Sequence, residues 1–345
     1  MSDIDIRVQG RAGRITLTRP QALNALTYEM CRTIDAALRA WGQDDAVQVV
    51  LIDAEGPRAF CSGGDIAEMY ATGTRGDYSY GRRFWRDEYR MNARLFEFPK
   101  PTVSFLQGFT MGGGVGVGCH AGLRVVGESA QIAMPECGIG LIPDVGGTMI
   151  LARAPGRLGE YLGCTGARMG AADAILAGFA DVYLPESEWE DAKARIVETG
   201  APVVDHRPPP PGRLAALQAD IDRHFAGETL GDIVRSLQAE DSDFARDTLK
   251  TLRRNAPLSM ACTVEALHRL GDAPDIRTAL ALEYRFTFRA MEKADFLEGI
   301  RAAIIDKDRN PTWRHAAPDA VPAVEVSAML LPLGADALTF EEENT

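Results

Sequence analysis

The sequence predicts an α/β fold of repeated strand-strand-helix units, with a helical C-terminal region. Three observations carry this reading. Short strand-like segments lead into helical stretches through glycine turns; "VQVVLIDAEG" is near-continuously apolar, as a strand covered on both faces must be; and "PPPPG" near residue 208 opens a half in which the segments have helical spacing. With 345 residues, 46% of them hydrophobic, the chain can bury one large core or two smaller ones. We expect a ββα core over 1–207, a helical region over 208–315, and a weakly ordered tail over 316–345, where alanine, proline and acids dominate.

Taken in order, "IDIRVQG" and "GRITLTR" read as two strands joined at Gly10 and Gly13. "NALTYEMCRTIDAALRAWGQD" has helical period, with Leu26, Met30, Ile34, Ala37, Leu38 and Trp41 on one stripe and Thr27 or Asn24 as the starting residue. After the buried strand, "AFCSGGDIAEMY" is a glycine turn feeding a helix. "KPTVSFLQG" alternates like a half-buried strand, and "GFTMGGGVGVG" leads into "VGCHAGLRVV", which can continue as a helix. Beyond 208, "RLAALQADIDRHF", "LGDIVRSLQAE", "DFARDTLKTLRR" and "LSMACTVEALHRL" are helical. They precede one long helical stretch, "DIRTALALEYRFTFRAMEKADFLEGIRAAII".

Composition narrows the function classes. A net charge of −12 argues against nucleic acid or an anionic membrane as the main partner. No apolar run reaches the roughly 18 residues of a membrane span, and "MSDIDIRVQG" lacks the basic-then-apolar start of a signal peptide. A soluble cytoplasmic protein is expected. The six cysteines are scattered without a C-x-x-C pair, which suits free thiols in a reducing compartment and not a zinc site or disulfide framework. His120, beside Cys119, reads as a packed or surface helix residue.

The glycine run poses the chemical question. Bare backbone N–H groups at a strand-to-helix junction can approach an anion. The run nonetheless fits neither the phosphate loop, since Cys119 and His120 follow Gly118 where Lys-Ser/Thr is required, nor the dinucleotide fingerprint, which finds no register. The N–H groups of Gly64 in "FCSGGDI" and Gly113 in "MGGGVG" instead suit an oxyanion hole, two donors converging on one developing negative oxygen. In "AMPECGIGLIPDVGG", Glu136 and Asp144 stand eight residues apart among apolar residues and prolines. Desolvation and mutual repulsion would tune such a pair for acid/base work. A structural reading of the same residues stays open: Glu136 could end a strand at the surface, and Asp144 could cap the helix starting near "GGTMILAR".

"LTRPQALNALT", "AFCSGGDI", "GFTMGGGVGVG" and "AMPECGIGLIPDVGG", in this order, resemble the crotonase (enoyl-CoA hydratase/isomerase) superfamily. More narrowly, "FWRDEYRMN", "AMPE", "PDVGG", "LEYR" and "DFLEGIRAAIIDKDRNPTW" resemble its 3-hydroxyisobutyryl-CoA hydrolase branch. The resemblance spans about residues 4–315. It implies a crotonase-like spiral of ββα units and an acyl-CoA ligand whose thioester oxygen meets Gly64 and Gly113. It further implies a CoA-binding stretch at Gln21, Ala22, Leu23, Asp65 and Ile66, acting largely through backbone, and trimers or hexamers as the assembly. No separate cofactor is implied, since coenzyme A is part of the substrate, and no metal.

One departure from the family pattern is informative. Hydratases with two glutamates place the first two residues after the glycine triplet, where this chain has Gly116, and only the second is retained, as Glu136. The hydrolase branch pairs the equivalents of Glu136 and Asp144 and sets a carboxylate matching Glu88 near the substrate's hydroxyl. Glu88 also admits a solvated-helix reading in "RRFWRDEYRMNARLF". The resemblance thus implies hydrolysis of a short 3-hydroxyacyl-CoA, 3-hydroxyisobutyryl-CoA first, in valine breakdown. Isomerisation or hydration on the same fold is the alternative, and non-catalytic CoA binding a third.

Overall fold

A computed structural model describes residues 3–340. The chain falls into two compact units that interleave along the sequence. One comprises the residues up to Asp65, Asp87–Ala133 and Arg168–Ala215; the other comprises Ile66–Arg86, Met134–Ala167 and the residues from Ala216 on.

The first unit holds the strands: β1 (Ile4–Gln9), β2 (Ala12–Leu17), β3 (Val49–Ala54), β4 (Ala59–Cys61), β5 (Thr102–Leu106), β6 (Phe109–Met111), β7 (Leu123–Val126), β8 (Gln131–Ala133) and β9 (Val182–Tyr183). They form a six-stranded sheet in the order β1-β2-β3-β5-β7-β9 and a three-stranded sheet β4-β6-β8. Every pairing is parallel except the β1–β2 hairpin. From β3 onward, each repeat places its first strand in the large sheet and its second in the small one. The expected alternation therefore winds through two sheets at once.

Side-chain chemistry accounts for the pieces. In the helix α1 (Tyr28–Gly42), Thr27 is the cap: its Oγ1 accepts the Met30 N–H at 3.2 Å, and Met30, Ile34, Ala37, Leu38 and Trp41 are buried. Asn24 has a different task. Fully buried, it accepts the Arg19 N–H at 2.8 Å and donates to the Glu55 and Ala59 carbonyls, both at 2.9 Å. Asp53, the one charge in the apolar strand β3, is matched by Arg14 at 2.6 Å and Lys193 at 3.2 Å, and the Thr16 hydroxyl donates to it at 2.8 Å. Burial alone would raise its carboxyl, but Lys193 and Arg14 hold it below the usual range.

Four sequence expectations are corrected. β5 is buried at every position, not half-buried, because it lies between β3 and β7 inside the large sheet. The helix after the glycine run stops at Gly118, and Leu123–Val126 is strand β7, where its two valines suit the pleated surface better than a helix. His120 is accordingly outside any helix; it is buried, edge-on to Phe96. The long C-terminal stretch is not one helix: it runs over Ile276–Lys293 and breaks at Ala294, which is extended, and Asp295, whose Oδ1 accepts the Arg314 N–H at 2.9 Å. Helix resumes at Phe296–Ile300 and ends in a π turn over Arg301–Ile305. Past 316, where weak order was expected, residues Ala323–Met329 are helical and Met329 and Leu330 are buried. The final "EEENT" lies outside the described residues.

Candidate active site

In the first unit, two loops are laced together by backbone hydrogen bonds. The Ser62 N–H donates to Leu23 O at 3.0 Å, the Leu26 N–H to Gly63 O at 2.8 Å, and the Asp65 N–H to Leu26 O at 2.8 Å. The segment expected to hold coenzyme A is thus tied to the Gly64 turn. Within it Gln21 is exposed, Ala22 and Leu23 are half-buried, and Leu23 and Asn24 take left-handed backbone at φ +51° and +54°. The Asp65 carboxylate lies 3.3 Å from the Arg19 guanidinium, while Ile66 opens the helix α2 (Ala67–Gly73).

Gly64 and Gly113 converge. Gly113 is the first residue of the buried helix α4 (Gly113–Gly118), entered through Gly112 at φ +49°. A methyl group at Gly113 would lie 3.2 Å from the Gly64 nitrogen and 3.0 Å from Glu88 Oε1. Among the described residues neither glycine N–H donates in the backbone hydrogen bonds of these turns. The structure therefore brings Gly64, Gly113 and Glu88 to one small space. Glu88 sits on the helix α3 (Ser79–Phe96) and is 3% exposed, so the solvated-helix reading of this residue does not hold. The neighbouring glycine has a packing role: a methyl at Gly114 would meet the Cys61 carbonyl oxygen at 2.3 Å.

In the second unit, Glu136 opens a 3-10 turn, Glu136–Ile139, and Asp144 precedes the helix α5 (Gly147–Ala152). Both are buried, at 5% and 4% exposure, so neither ends an element at the surface. Glu136 Oε2 is buried and makes no hydrogen bond among the described residues. Burial, and next the charge of Asp144, push the Glu136 carboxyl well above the usual carboxylate range. The residue that enters α5 is Gly146, two positions after Asp144.

A third buried carboxylate completes this half, and sequence reasoning assigned it no role. Glu283, on the helix Ile276–Lys293, accepts the Gly146 N–H at 2.8 Å and the Thr148 N–H at 3.0 Å, together with the Thr148 hydroxyl. Burial pushes its carboxyl up to about 8, against the pull of those donors. The signal was present in "LEYR": Glu283 falls on a buried stripe with Ala279, Phe286 and Ala290, where an unpaired charge is costly.

Cys61 and Cys137, which flank the candidate residues, are buried, and burial pushes both thiols up to about 12, far from a reactive thiolate. Among the described residues no helix is long and apolar enough to cross a membrane.

The strand-strand-helix repeats wound through two sheets, with the Gly64 and Gly113 turns close together in the first unit, are those of the crotonase-fold class of enzymes. The sequence profile described as enoyl-CoA hydratase/isomerase matches residues 12–330, and the chain belongs to that family. It is 33% identical to the mitochondrial 3-hydroxyisobutyryl-CoA hydrolase of Gallus gallus, over 96% of this chain and 90% of that protein. Among solved structures, one described as an enoyl-CoA hydratase from Rhodobacter sphaeroides 2.4.1 is 61% identical, with TM-score 0.96 over 98% of this chain and 100% of the other. One described as a carnitinyl-CoA dehydratase from Mycobacterium thermoresistibile is 39% identical, with TM-score 0.93 over 99% and 100%.

Proposed function

We propose that the protein hydrolyses the thioester of a short 3-hydroxyacyl-CoA, with 3-hydroxyisobutyryl-CoA the first candidate. The observation that carries this reading is the pairing of Glu136, with its unpartnered buried Oε2, and Asp144. A carboxylate so desolvated is a better nucleophile and base than one in water. The similarity to proteins named 3-hydroxyisobutyryl-CoA hydrolase supports it as well.

In this reading Gly64 and Gly113 donate to the thioester oxygen as negative charge develops there. Glu136 attacks the carbonyl carbon, giving a mixed anhydride and expelling CoA thiolate, which takes a proton. Water oriented by Asp144 then cleaves the anhydride, releasing the hydroxy acid and restoring Glu136. In the variant without a covalent intermediate, Glu136 takes the proton of the attacking water. Glu88 accepts from the 3-hydroxyl of the acyl group. Gln21, Ala22, Leu23, Asp65 and Ile66 hold the CoA portion, chiefly through backbone.

A second reading, hydration or isomerisation of an enoyl-CoA, is favoured by one finding, the 61% identity to a structure described as an enoyl-CoA hydratase. One experiment separates the two. Thiol release from 3-hydroxyisobutyryl-CoA and 3-hydroxypropionyl-CoA is measured beside crotonyl-CoA hydration, for wild type, Glu136→Gln and Asp144→Asn. Release by wild type that both variants lose, without hydration, is the expected result. Hydration in place of release moves the assignment to the second reading, and CoA binding without turnover makes the protein a binder.

A further inference from the structure

The turn that presents Asp144 is held in a conformation its own residues do not favour. Val145 has φ +54° and Gly146 φ +79°, two successive left-handed residues. Glycine adopts that region freely, but a buried β-branched valine does so only under strain that the surroundings must impose. The Asp144 carbonyl accepts the Gly147 N–H at 2.7 Å, so the strained pair sits between Asp144 and the first turn of α5.

An aspartate just before a helix ordinarily spends its carboxylate on the helix's first N–H groups. Here those donors go elsewhere. The Gly146 and Thr148 N–H groups, with the Thr148 hydroxyl, all bond to Glu283, reaching in from a helix more than a hundred residues later in the chain. A carboxylate from outside does this capping.

We propose that Glu283 is a positioning residue for Asp144: by bonding Gly146 within the strained turn and Thr148 in the first turn of α5, it holds the Asp144 carboxylate beside Glu136. The proposal rests on Asp144 acting in turnover. It makes Glu283 responsible for the orientation of a catalytic group without touching substrate.

The test uses the full chain and two readouts. Glu283→Gln keeps the shape but sets an NH₂ group against the Gly146 N–H or the Thr148 donors. It should lower kcat for thiol release by about 10- to 100-fold, as misplacement of a catalytic group does, with KM within about threefold of wild type. Hydrogen exchange at the amides of 145–148 should speed up locally. Val145→Gly, placed in the Glu283→Gln background, removes the strain the clamp opposes and should recover part of the lost kcat; a merely structural role for Glu283 would give no such recovery. Thr148→Val, which deletes one donor, should cost severalfold in kcat and carries the test should Glu283→Gln fail to fold. Wild-type kcat in Glu283→Gln, or unchanged exchange at 145–148, overturns the proposal. If wild type releases no thiol, the hydrolase reading fails separately: exchange still reports on the clamp, and kcat is read on crotonyl-CoA.

Discussion

Replacing Gly113 with alanine adds one methyl group to the space that Gly64, Gly113 and Glu88 share. The methyl would lie 3.2 Å from the Gly64 nitrogen and 3.0 Å from Glu88 Oε1, contacts that a shift of a few tenths of an ångström relieves. Gly113 is not among the positive-φ residues, so alanine meets no backbone strain there. Overpacking costs about 1–2 kcal/mol, and alanine's better helix propensity returns about 0.5–1 kcal/mol, leaving stability nearly unchanged. Catalysis should not survive as well. An oxyanion must sit about 2.7–3.1 Å from its donors, and loss of one donor costs about 100- to 1,000-fold; a methyl in that position excludes the oxygen itself. Gly114→Ala is the control. Its methyl would stand 2.3 Å from the backbone oxygen of Cys61, which cannot swing aside, so the loss there should be one of stability. Thiol release and thermal unfolding of both variants give the comparison. Gly113→Ala should fold with a melting temperature close to wild type and lose at least about 100-fold in kcat/KM. Activity within about threefold of wild type would refute the oxyanion role.

Three further outcomes follow from the same geometry. Asn24→Ala removes the donor to two carbonyls and the acceptor of the Arg19 N–H, so denaturant unfolding should show a loss of about 2–4 kcal/mol; a loss under about 1 kcal/mol contradicts the bonding described. Glu88→Gln should weaken the preference for 3-hydroxyisobutyryl-CoA over isobutyryl-CoA by roughly 10-fold or more, the worth of a charged hydrogen bond, and an unchanged ratio removes Glu88 from hydroxyl recognition. Glu136 must be ionised to attack or to accept a proton, so kcat/KM should rise with pH through a value well above the ordinary 4.5. Stability runs the other way. The folded state keeps a proton that the unfolded chain has released, so this contribution is full below about 4.5 and is lost as pH rises through the folded value. Unfolding of Glu136→Gln across pH should lack that decline, and a rate profile rising near 4.5 would sink the argument.

The ββα alternation was legible because each piece announces itself locally. A helical stripe from Met30 to Trp41, a buried run in β3 and glycines at the turns need no knowledge of distant segments. What escaped was whatever depends on a partner far along the chain. The segment of β7 reads as a continuation of the preceding helix because only the register Val103↔Leu123 and Ser104↔Arg124 with β5 makes a strand of it. The two units interleave, which no local composition shift at 208 could announce.

Glu136 and Asp144 could be picked out because they lie eight residues apart on one motif, yet the capping alternative for Asp144 could not be dismissed from that motif alone. The residue that bears on it is Glu283, 139 positions after Asp144 in the numbering, whose carboxylate accepts the Gly146 and Thr148 N–H groups at the start of α5. A glutamate on an apolar helical stripe was the available sign. A buried charge there must be answered by donors, and donors in an interior come from backbone that another element has left unpaired. In this unit such backbone lies at the start of α5, next to the aspartate proposed to carry the chemistry.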